Sequence, residues 1–267
     1  MYMKLVGKAL RALAIACVLQ VPTGAASAER PIAKNALKQG SEFSSAEVRV
    51  MQADDFENPG MLWVTRGERL WREAPAGATK SCAGCHGAAQ ESMKGVATRY
   101  PKTDPGAARL VNIAGRVNLC RERHQNVQPL PHESEALLAL TAYVTYQSRG
   151  MPLSVTIDSQ NAAAFERGRE RYYRRLGQMN LSCAQCHDRN WGRTLIHETV
   201  SQGHPTGWPG YRLEWQTFGS LQRRLRACYS GVRAEMPDYG ARELIELELY
   251  LAWRAEDLPI EAPGVRR

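Results

Sequence analysis

The chain has 267 residues, a hydrophobic fraction of 43% and a charged fraction of 23%. These values are ordinary for a globular protein that buries a hydrophobic core, so they exclude a largely disordered chain. The formal net charge of +8 favours anionic ligands or an acidic protein partner. The basic residues alternate with glutamates and form no nucleic-acid recognition motif.

The first 28 residues have the pattern of an export signal. Lys4, Lys8 and Arg11 precede an apolar run, and Ala26-Ser27-Ala28 supplies the small residues of a cleavage site. The run is shorter than the roughly 18 apolar residues that a membrane anchor needs. The residues before Cys17 make a poor lipoprotein signal. We therefore predict an exported protein whose mature chain has a formal charge of +5.

Two copies of the motif C-x-x-C-H follow in the mature chain. They are Cys82-x-x-Cys85-His86 and Cys183-x-x-Cys186-His187. The motif attaches c-type haem, because two thiols at this spacing reach the two porphyrin vinyl groups and the adjacent imidazole reaches the iron. A single C-x-x-C could be a redox dithiol or half a zinc site. Two complete copies in an exported chain predict two covalent haem c groups.

The segments around these motifs repeat. The segment "TRGERLWREAPAGATKSCAGCHG" aligns without a gap with "ERGRERYYRRLGQMNLSCAQCHD" at an offset of 101, which matches Arg66-Gly67 with Arg167-Gly168. Further along, "EALLALTAYVTYQ" resembles "ELIELELYLAWR" at an offset of 107, and both have apolar residues at helical spacing. Each half therefore has a helix, the motif, an irregular stretch and a closing helix.

This order is that of a class I cytochrome c domain. We predict an all-α fold of two tandem class I cytochrome c-like domains related by an internal repeat. The predicted organisation is an N-terminal arm over 29–47, domains over 48–150 and 161–260, a linker over 151–160 and a disordered tail over 261–267.

Two further cysteines of the mature chain, Cys120 and Cys228, lie outside the motifs. They are 108 residues apart, close to the offset of the closing helices, and an arginine lies four residues before each, Arg116 and Arg224. A disulfide between the two is the ordinary expectation in an oxidising compartment. A disulfide does not need equivalent positions in the two halves, whereas a role repeated once per haem does. The pattern favours Cys120 and Cys228 as the sixth ligands of the two irons.

Methionine and histidine are alternative sixth ligands. Met236-Pro237 is a familiar ligand context, but its first-half counterpart is Leu130-Pro131, and Met151 lies beyond the closing helix. Met93 and Met179 are expected to pack against the haems. The histidine candidates are His124, His132, His197 and His204. A thiolate would favour ferric iron, whereas methionine raises the potential, and the sulfur of a cysteine is itself reactive.

The segments "SCAGCHG", "NLCRER", "SCAQCHD" and above all "RRLRACYSGVRAEMPDYG" resemble the SoxA family, the catalytic subunits of the SoxAX cytochromes of bacterial thiosulfate oxidation. The resemblance covers roughly Val48 to Leu258. It implies that Cys82, Cys85, His86 and Cys120 hold the first haem, and that Cys183, Cys186, His187 and Cys228 hold the second. It also implies that Cys228 is the active-site cysteine, which can be found as a persulfide, and that Arg224 binds the substrate.

The resemblance implies a periplasmic L-cysteine S-thiosulfotransferase. Such an enzyme couples thiosulfate to a cysteine of the SoxYZ carrier, gives a cysteine S-thiosulfonate and passes two electrons to a cytochrome c. A SoxX subunit would be its partner. Arg223, Arg226 and Arg233 add positive charge near Cys228, although a solvated basic face explains most of them. The alternatives are a dihaem electron carrier without a substrate of its own and a dihaem peroxidase, for which the chain is short.

Overall fold

The structure, a computed structural model, describes residue 2 and residues 30–267. The export signal predicted over 1–28 therefore lies outside the described residues, apart from residue 2. The described α-helices are α1 (Ala46–Ala53), α2 (Met61–Arg72), α3 (Cys82–His86), α4 (Ala89–Ser92), α5 (Ile113–Cys120), α6 (Glu135–Tyr146), α7 (Ala162–Tyr173), α8 (Cys183–His187), α9 (Leu221–Gly231) and α10 (Arg242–Arg254). The strands are β1 (Lys102–Asp104), β2 (Arg109–Val111), β3 (Thr194–Leu195), β4 (Glu198–Thr199), β5 (Gly210–Arg212), β6 (Thr217–Gly219) and β7 (Gly264–Arg266).

The core of each half is a pair of long helices that cross at a glycine. Helix α2 packs on α6, and α7 packs on α10. A Cβ on Gly67 would lie 2.1 Å from the carbonyl oxygen of Ala139, and a Cβ on Gly168 would lie 2.1 Å from that of Glu246. The absence of a side chain at each glycine thus allows the backbones to approach closely. This contact explains why the aligned segments share a glycine.

A short hairpin precedes each helix that ends near a spare cysteine. Strands β1 and β2 pair from Lys102↔Val111 and lead into α5, while β5 and β6 pair from Gly210↔Gly219 and lead into α9. Proline and glycine follow Asp104, whose carboxylate accepts a hydrogen bond from the Ala107 amide (2.7 Å) and fixes the first turn. The predicted all-α class therefore needs correction: helices dominate, but the irregular stretches fold into small antiparallel hairpins.

The C-terminal segment is not the predicted disordered tail. Strand β7 pairs in parallel with β5, and Val265 is completely buried. The amide of Asn58 donates to the Pro263 carbonyl (2.9 Å), which ties the segment to the turn before α2. The sequence "EAPGVRR" has one large apolar residue, so the prediction failed because strand pairing and not hydrophobic content orders it.

Residues 31–267 form one compact unit. The predicted arm contributes to it, since the Lys38 amide donates to the Gln202 side chain (2.8 Å) and Gln202 donates to the Ala36 carbonyl (2.9 Å). The boundary between the two predicted domains stays a prediction. Among the described residues, no helix has both the length and the apolar character that crossing a bilayer requires.

Candidate functional site

The second C-x-x-C-H motif forms the one-turn helix α8. Ser182 caps it by accepting a hydrogen bond from the Gln185 amide, and the Gln185 side chain accepts one from the Ser182 amide (2.9 Å). The cap starts the helix at Cys183, so Cys183 and Cys186 lie one turn apart on the same face. Burial and, to a smaller extent, the nearby Cys228 charge raise the pKa of Cys183 to about 12.

The loop 201–204 holds the imidazole that follows these cysteines. The Nδ1 atom of His187 lies 2.8 Å from the Ser201 carbonyl oxygen and donates to it, so Nε2 is the ring nitrogen that would bind a metal. A Cβ on Gly203 would lie 2.9 Å from the His187 ring, so the glycine allows the loop to pass close to it. Neither Ser201 nor Gly203 was predicted, since no motif marks them.

Cys228 lies beside this imidazole, although it comes 41 residues later in the chain. Ser220 caps α9 by accepting from the Arg223 amide (3.1 Å), and the helix carries Cys228 into the same site as α8. Burial raises the pKa of Cys228, but the Arg224 charge, the hydrogen bond and charge of His187 and the Arg212 charge lower it to about 7. The positive charges of Arg224 and Arg212 thus favour the thiolate form of Cys228.

Arg224 lies one helical turn before Cys228, as predicted, and so shares its face of α9. Its guanidinium is one-third exposed, and among the described residues it pairs with Glu198 alone, at 4.0 Å. The other oxygen of Glu198 accepts a 2.7 Å hydrogen bond from Arg212, whose side chain is buried. Most of the Arg224 donors are therefore open to an anion. The sequence did not single out Arg212 or Glu198.

The neighbouring arginines have other partners. Arg223 lies over the Trp215 ring at 4.6 Å, and Arg226 lies over the Tyr239 ring at 4.4 Å. Arg233 is exposed. Arginine stacked on an aromatic ring is oriented by it, so Arg223 and Arg226 have structural roles around α9. Of the three, Arg233 alone fits the solvated basic face that the sequence suggested for most of them.

The first motif forms the matching helix α3. Ser81 caps it by accepting from the Gly84 amide (3.0 Å). The Trp71 ring lies 5.7 Å from the His86 ring, and its indole nitrogen donates to the Gly87 carbonyl (3.0 Å). Cys120, at the end of α5, lies close enough to raise the pKa of Cys82, although burial is the larger cause. The structure thus brings each spare cysteine to the motif of its own half.

The two spare cysteines have different electrostatic surroundings. Burial raises the pKa of Cys120 above its usual value, although the charges of Arg116 and Arg123 lower it. Both arginines pair with the buried carboxylate of Asp104, which opposes their effect. At Cys228 the positive charges outweigh burial. The first thiol is therefore the less reactive of the two.

The alternatives from the sequence find less support. Cys120 and Cys228 are both free thiols, so the disulfide is absent from the described part of the chain. Met236 is about half exposed, whereas Met93 packs in the core cluster that includes Cys82. His204 is buried, its Nε2 lies 3.0 Å from the Gln202 oxygen, and burial lowers its pKa to about 3.

The chemistry of the second site fits a covalent haem. No group of three or more His, Cys, Asp or Glu side chains in the described residues could hold a bare metal ion, which disfavours the zinc interpretation. With its Nδ1 atom held by the Ser201 carbonyl, His187 would offer Nε2 as an axial ligand. The buried Nε atom of Arg254 has no partner among the described residues, and haem carries propionate carboxylates that accept from such donors.

Comparison with known proteins gives consistent results. A model of the family "SoxA/TsdA, cytochrome c domain" matches residues 66–153. The chain is 41% identical to the L-cysteine S-thiosulfotransferase subunit SoxA of Pseudaminobacter salicylatoxidans, over 84% of this chain and 79% of that protein. It is 35% identical to the same subunit of Paracoccus pantotrophus, over 85% and 78%. The crystal structure of SoxXA from P. pantotrophus matches with a TM-score of 0.82 and 33% identity, covering 86% of this chain and 87% of that one.

Proposed function

This chain belongs to the SoxA family of L-cysteine S-thiosulfotransferase subunits, and on that premise we propose that it couples thiosulfate oxidatively to a cysteine of a carrier protein. The product is a cysteine S-thiosulfonate. The observation that carries the proposal is the position of Cys228 beside both His187 and Arg224, which places a thiolate next to an available guanidinium. A simple electron carrier needs neither group.

Two haem c groups would be held by the repeated ligand sets. Cys82 and Cys85 would attach the first haem, and Cys183 and Cys186 the second. The axial pairs would be His86 with Cys120 and His187 with Cys228. When bound, the haem supplies the redox capacity for the two electrons that the coupling releases. These sets, repeated at offsets of 101 and 108, also support the proposal of two cytochrome c-like units in tandem.

The protein's own side chains would bind and orient the substrate. Thiosulfate is a small dianion whose three oxygens match the planar donors of a guanidinium. If Arg224 holds the sulfonate oxygens, the outer sulfur is free to approach Cys228 on the same helix face. The charges of Arg224 and Arg212, which lower the pKa of Cys228, favour the thiolate that this sulfur must meet.

The proposed chemistry balances in two steps. A sulfur–sulfur bond forms between Cys228 and the outer sulfur of thiosulfate, and two electrons are released. The carrier thiol then loses its proton to solvent, and its thiolate attacks the outer sulfur. The bond to Cys228 breaks, the carrier keeps the thiosulfonate group, and Cys228 returns as a thiolate ready for the next cycle.

The partners follow from family membership. We propose a SoxX cytochrome subunit as the stable partner, because the matching crystal structure is of SoxXA. We further propose SoxYZ as the carrier and a cytochrome c as the electron acceptor. The basic, apolar and small-residue segments of 1–28 support export to the periplasm.

The first test is the mass of the Cys228 peptide from periplasmic protein prepared without reductant. We expect one or more added sulfur atoms, or a thiosulfate adduct after exposure to substrate. The Cys228→Ala variant should lose coupling activity by at least about a hundredfold, as expected when a nucleophile is removed. The matched control is Met236→Leu, a change at a half-exposed side chain eight residues after Cys228, which should keep activity within about threefold.

Absorption spectra of both variants must first establish that the haems are attached. Full coupling activity in Cys228→Ala with an attached second haem would refute Cys228 as the nucleophile. An unmodified, unreactive Cys228 peptide after turnover would do the same, and would return the protein to electron transfer alone.

A further inference from the structure

The two halves carry opposite charges at one equivalent buried position. Asp104 is the last residue of β1, and Arg212 is the last residue of β5. They are 108 residues apart, as Cys120 and Cys228 are, and the exposed fractions are 4% and 3%. Each residue ends the first strand of the hairpin that leads into the cysteine-bearing helix. The hairpins thus present a carboxylate to Cys120 and a guanidinium to Cys228.

In the first half, Asp104 is bound to the arginine of the cysteine-bearing helix α5. Asp104 pairs with Arg116, which corresponds to Arg224, and its other oxygen accepts from Arg123 at 2.9 Å. A buried carboxylate that accepts hydrogen bonds from two arginines binds them strongly, because solvent screens its charge little. The Arg116 side chain is 38% exposed, but one of its terminal nitrogens is held by this carboxylate, which offsets the positive charge that an external anion would meet.

In the second half the nearest carboxylate is held away from Arg224. Arg212 donates to Glu198 at 2.7 Å and to Glu214 at 2.5 Å, and its guanidinium lies over the Trp215 ring at 5.1 Å. The remaining Glu198 oxygen is 4.0 Å from Arg224, beyond hydrogen-bonding distance. Glu198 therefore forms a hydrogen bond with Arg212, whereas its interaction with Arg224 is only electrostatic.

On the premise that Arg224 binds the oxyanion substrate, we propose that Arg212 is a positioning residue. It holds Glu198 in a salt bridge and so keeps the Arg224 guanidinium available to the substrate. Asp104, at the equivalent place, pairs with Arg116 and offsets its charge. One charge reversal between the halves thus makes Arg224 the better partner for an anion. The substrate class is a small oxyanion such as thiosulfate.

The test is calorimetric titration of the haem-loaded protein with thiosulfate, without carrier. Arg212→Gln should weaken binding about tenfold, because the released Glu198 can then form a charge-assisted hydrogen bond with Arg224. The double variant Arg212→Gln/Glu198→Gln should restore binding to within about threefold of the wild type, since the competing carboxylate is gone. Arg212→Lys keeps the charge and should bind like the wild type.

Controls separate positioning from structural damage. The Glu198 and Glu214 side chains are 31% and 57% exposed, so loss of Arg212 leaves no carboxylate buried without a partner, and the variant should fold. Arg193→Gln removes an exposed charge nearby in the chain and should leave binding unchanged. Thermal unfolding and the haem absorption spectrum should be similar in all variants.

The outcomes distinguish the inference from the function on which it rests. If wild-type protein binds no thiosulfate, the proposed substrate site itself fails. If the wild type binds but Arg212→Gln binds equally well, the role of Arg212 is overturned. The inference is also overturned if Glu198→Gln does not rescue Arg212→Gln, or if Arg212→Gln shifts the haem spectrum, which would place Arg212 on a haem propionate.

Discussion

At the scale of single residues, the guanidinium of Arg224 offers what an ammonium cannot. Its parallel N–H donors match two oxygens of a sulfonate group, whereas lysine presents a single point charge. Its position one turn before Cys228 fixes the anion relative to the sulfur. The residue therefore contributes to orientation as well as to affinity.

We predict that Arg224→Lys raises KM for thiosulfate about tenfold and also lowers kcat, because the charge remains but the paired hydrogen bonds are lost. Coupling can be followed by cytochrome c reduction at a fixed carrier concentration. The matched control is Arg226→Lys two residues further on, where the guanidinium stacks on Tyr239. Equal kinetics for the two variants would argue against a bidentate contact at Arg224.

Some residues of the candidate site were predicted from the sequence, and others were not. Cys228, His187 and Arg224 were predicted, because each belongs to a motif or occupies a repeated position. Arg212, Glu198 and Ser201 were missed, because what gives them a role is contact with a distant part of the chain. The opposite charges of Asp104 and Arg212 are visible in the sequence, but only when the offset of 108 between Cys120 and Cys228 is applied to the hairpins as well.

At the scale of elements, the crossing of paired helices at glycine is the main packing feature. The positions of Gly67 and Gly168 in α2 and α7 match at the offset of 101. The carbonyls they face belong to α6 and α10, the two closing helices. The alignment found the glycines, and the packing explains why no larger residue fits.

We predict that Gly67→Ala and Gly168→Ala each lower the free energy of unfolding by roughly 1–3 kcal/mol, because a Cβ 2.1 Å from a carbonyl oxygen forces the helices apart. Urea unfolding of the haem-loaded protein measures the change. Gly231→Ala is the control, since a Cβ there meets nothing within 4 Å. Similar midpoints for all three variants would show that the helix pairs adjust without cost.

At the scale of the whole molecule, Glu248 connects the two halves. Its carboxylate accepts from Asn112, which caps α5, at 3.1 Å, and from Gln222 of α9 at 2.6 Å. The same side chain lines a cleft between the halves. Burial raises the pKa of Glu248 to about 7, although the two amide donors lower it. Both helices that carry a spare cysteine are thereby tied to α10.

This raised pKa predicts a stability that depends on pH. Because the folded protein holds the proton more tightly than the unfolded chain, the contribution of Glu248 is most favourable below pH ~4.5 and is lost as pH rises to about 7. The loss is at most about 3 kcal/mol. In Glu248→Gln, urea unfolding at several pH values should show a smaller fall over this range. The exposed Glu57→Gln is the control, and an unchanged slope in Glu248→Gln would contradict the assignment.

The sequence by itself determined the haem attachment motifs, the paired helices, the spare cysteines and the family, because each is encoded in local spacing or in a repeat along the chain. It did not determine the hairpins, the β7 pairing or the fate of the last residues, because strand pairing depends on distant partners. The tertiary structure alone decided which carboxylate faces which arginine. That choice sets the charge around each thiol, because electrostatic interaction depends on separation in space and not along the chain.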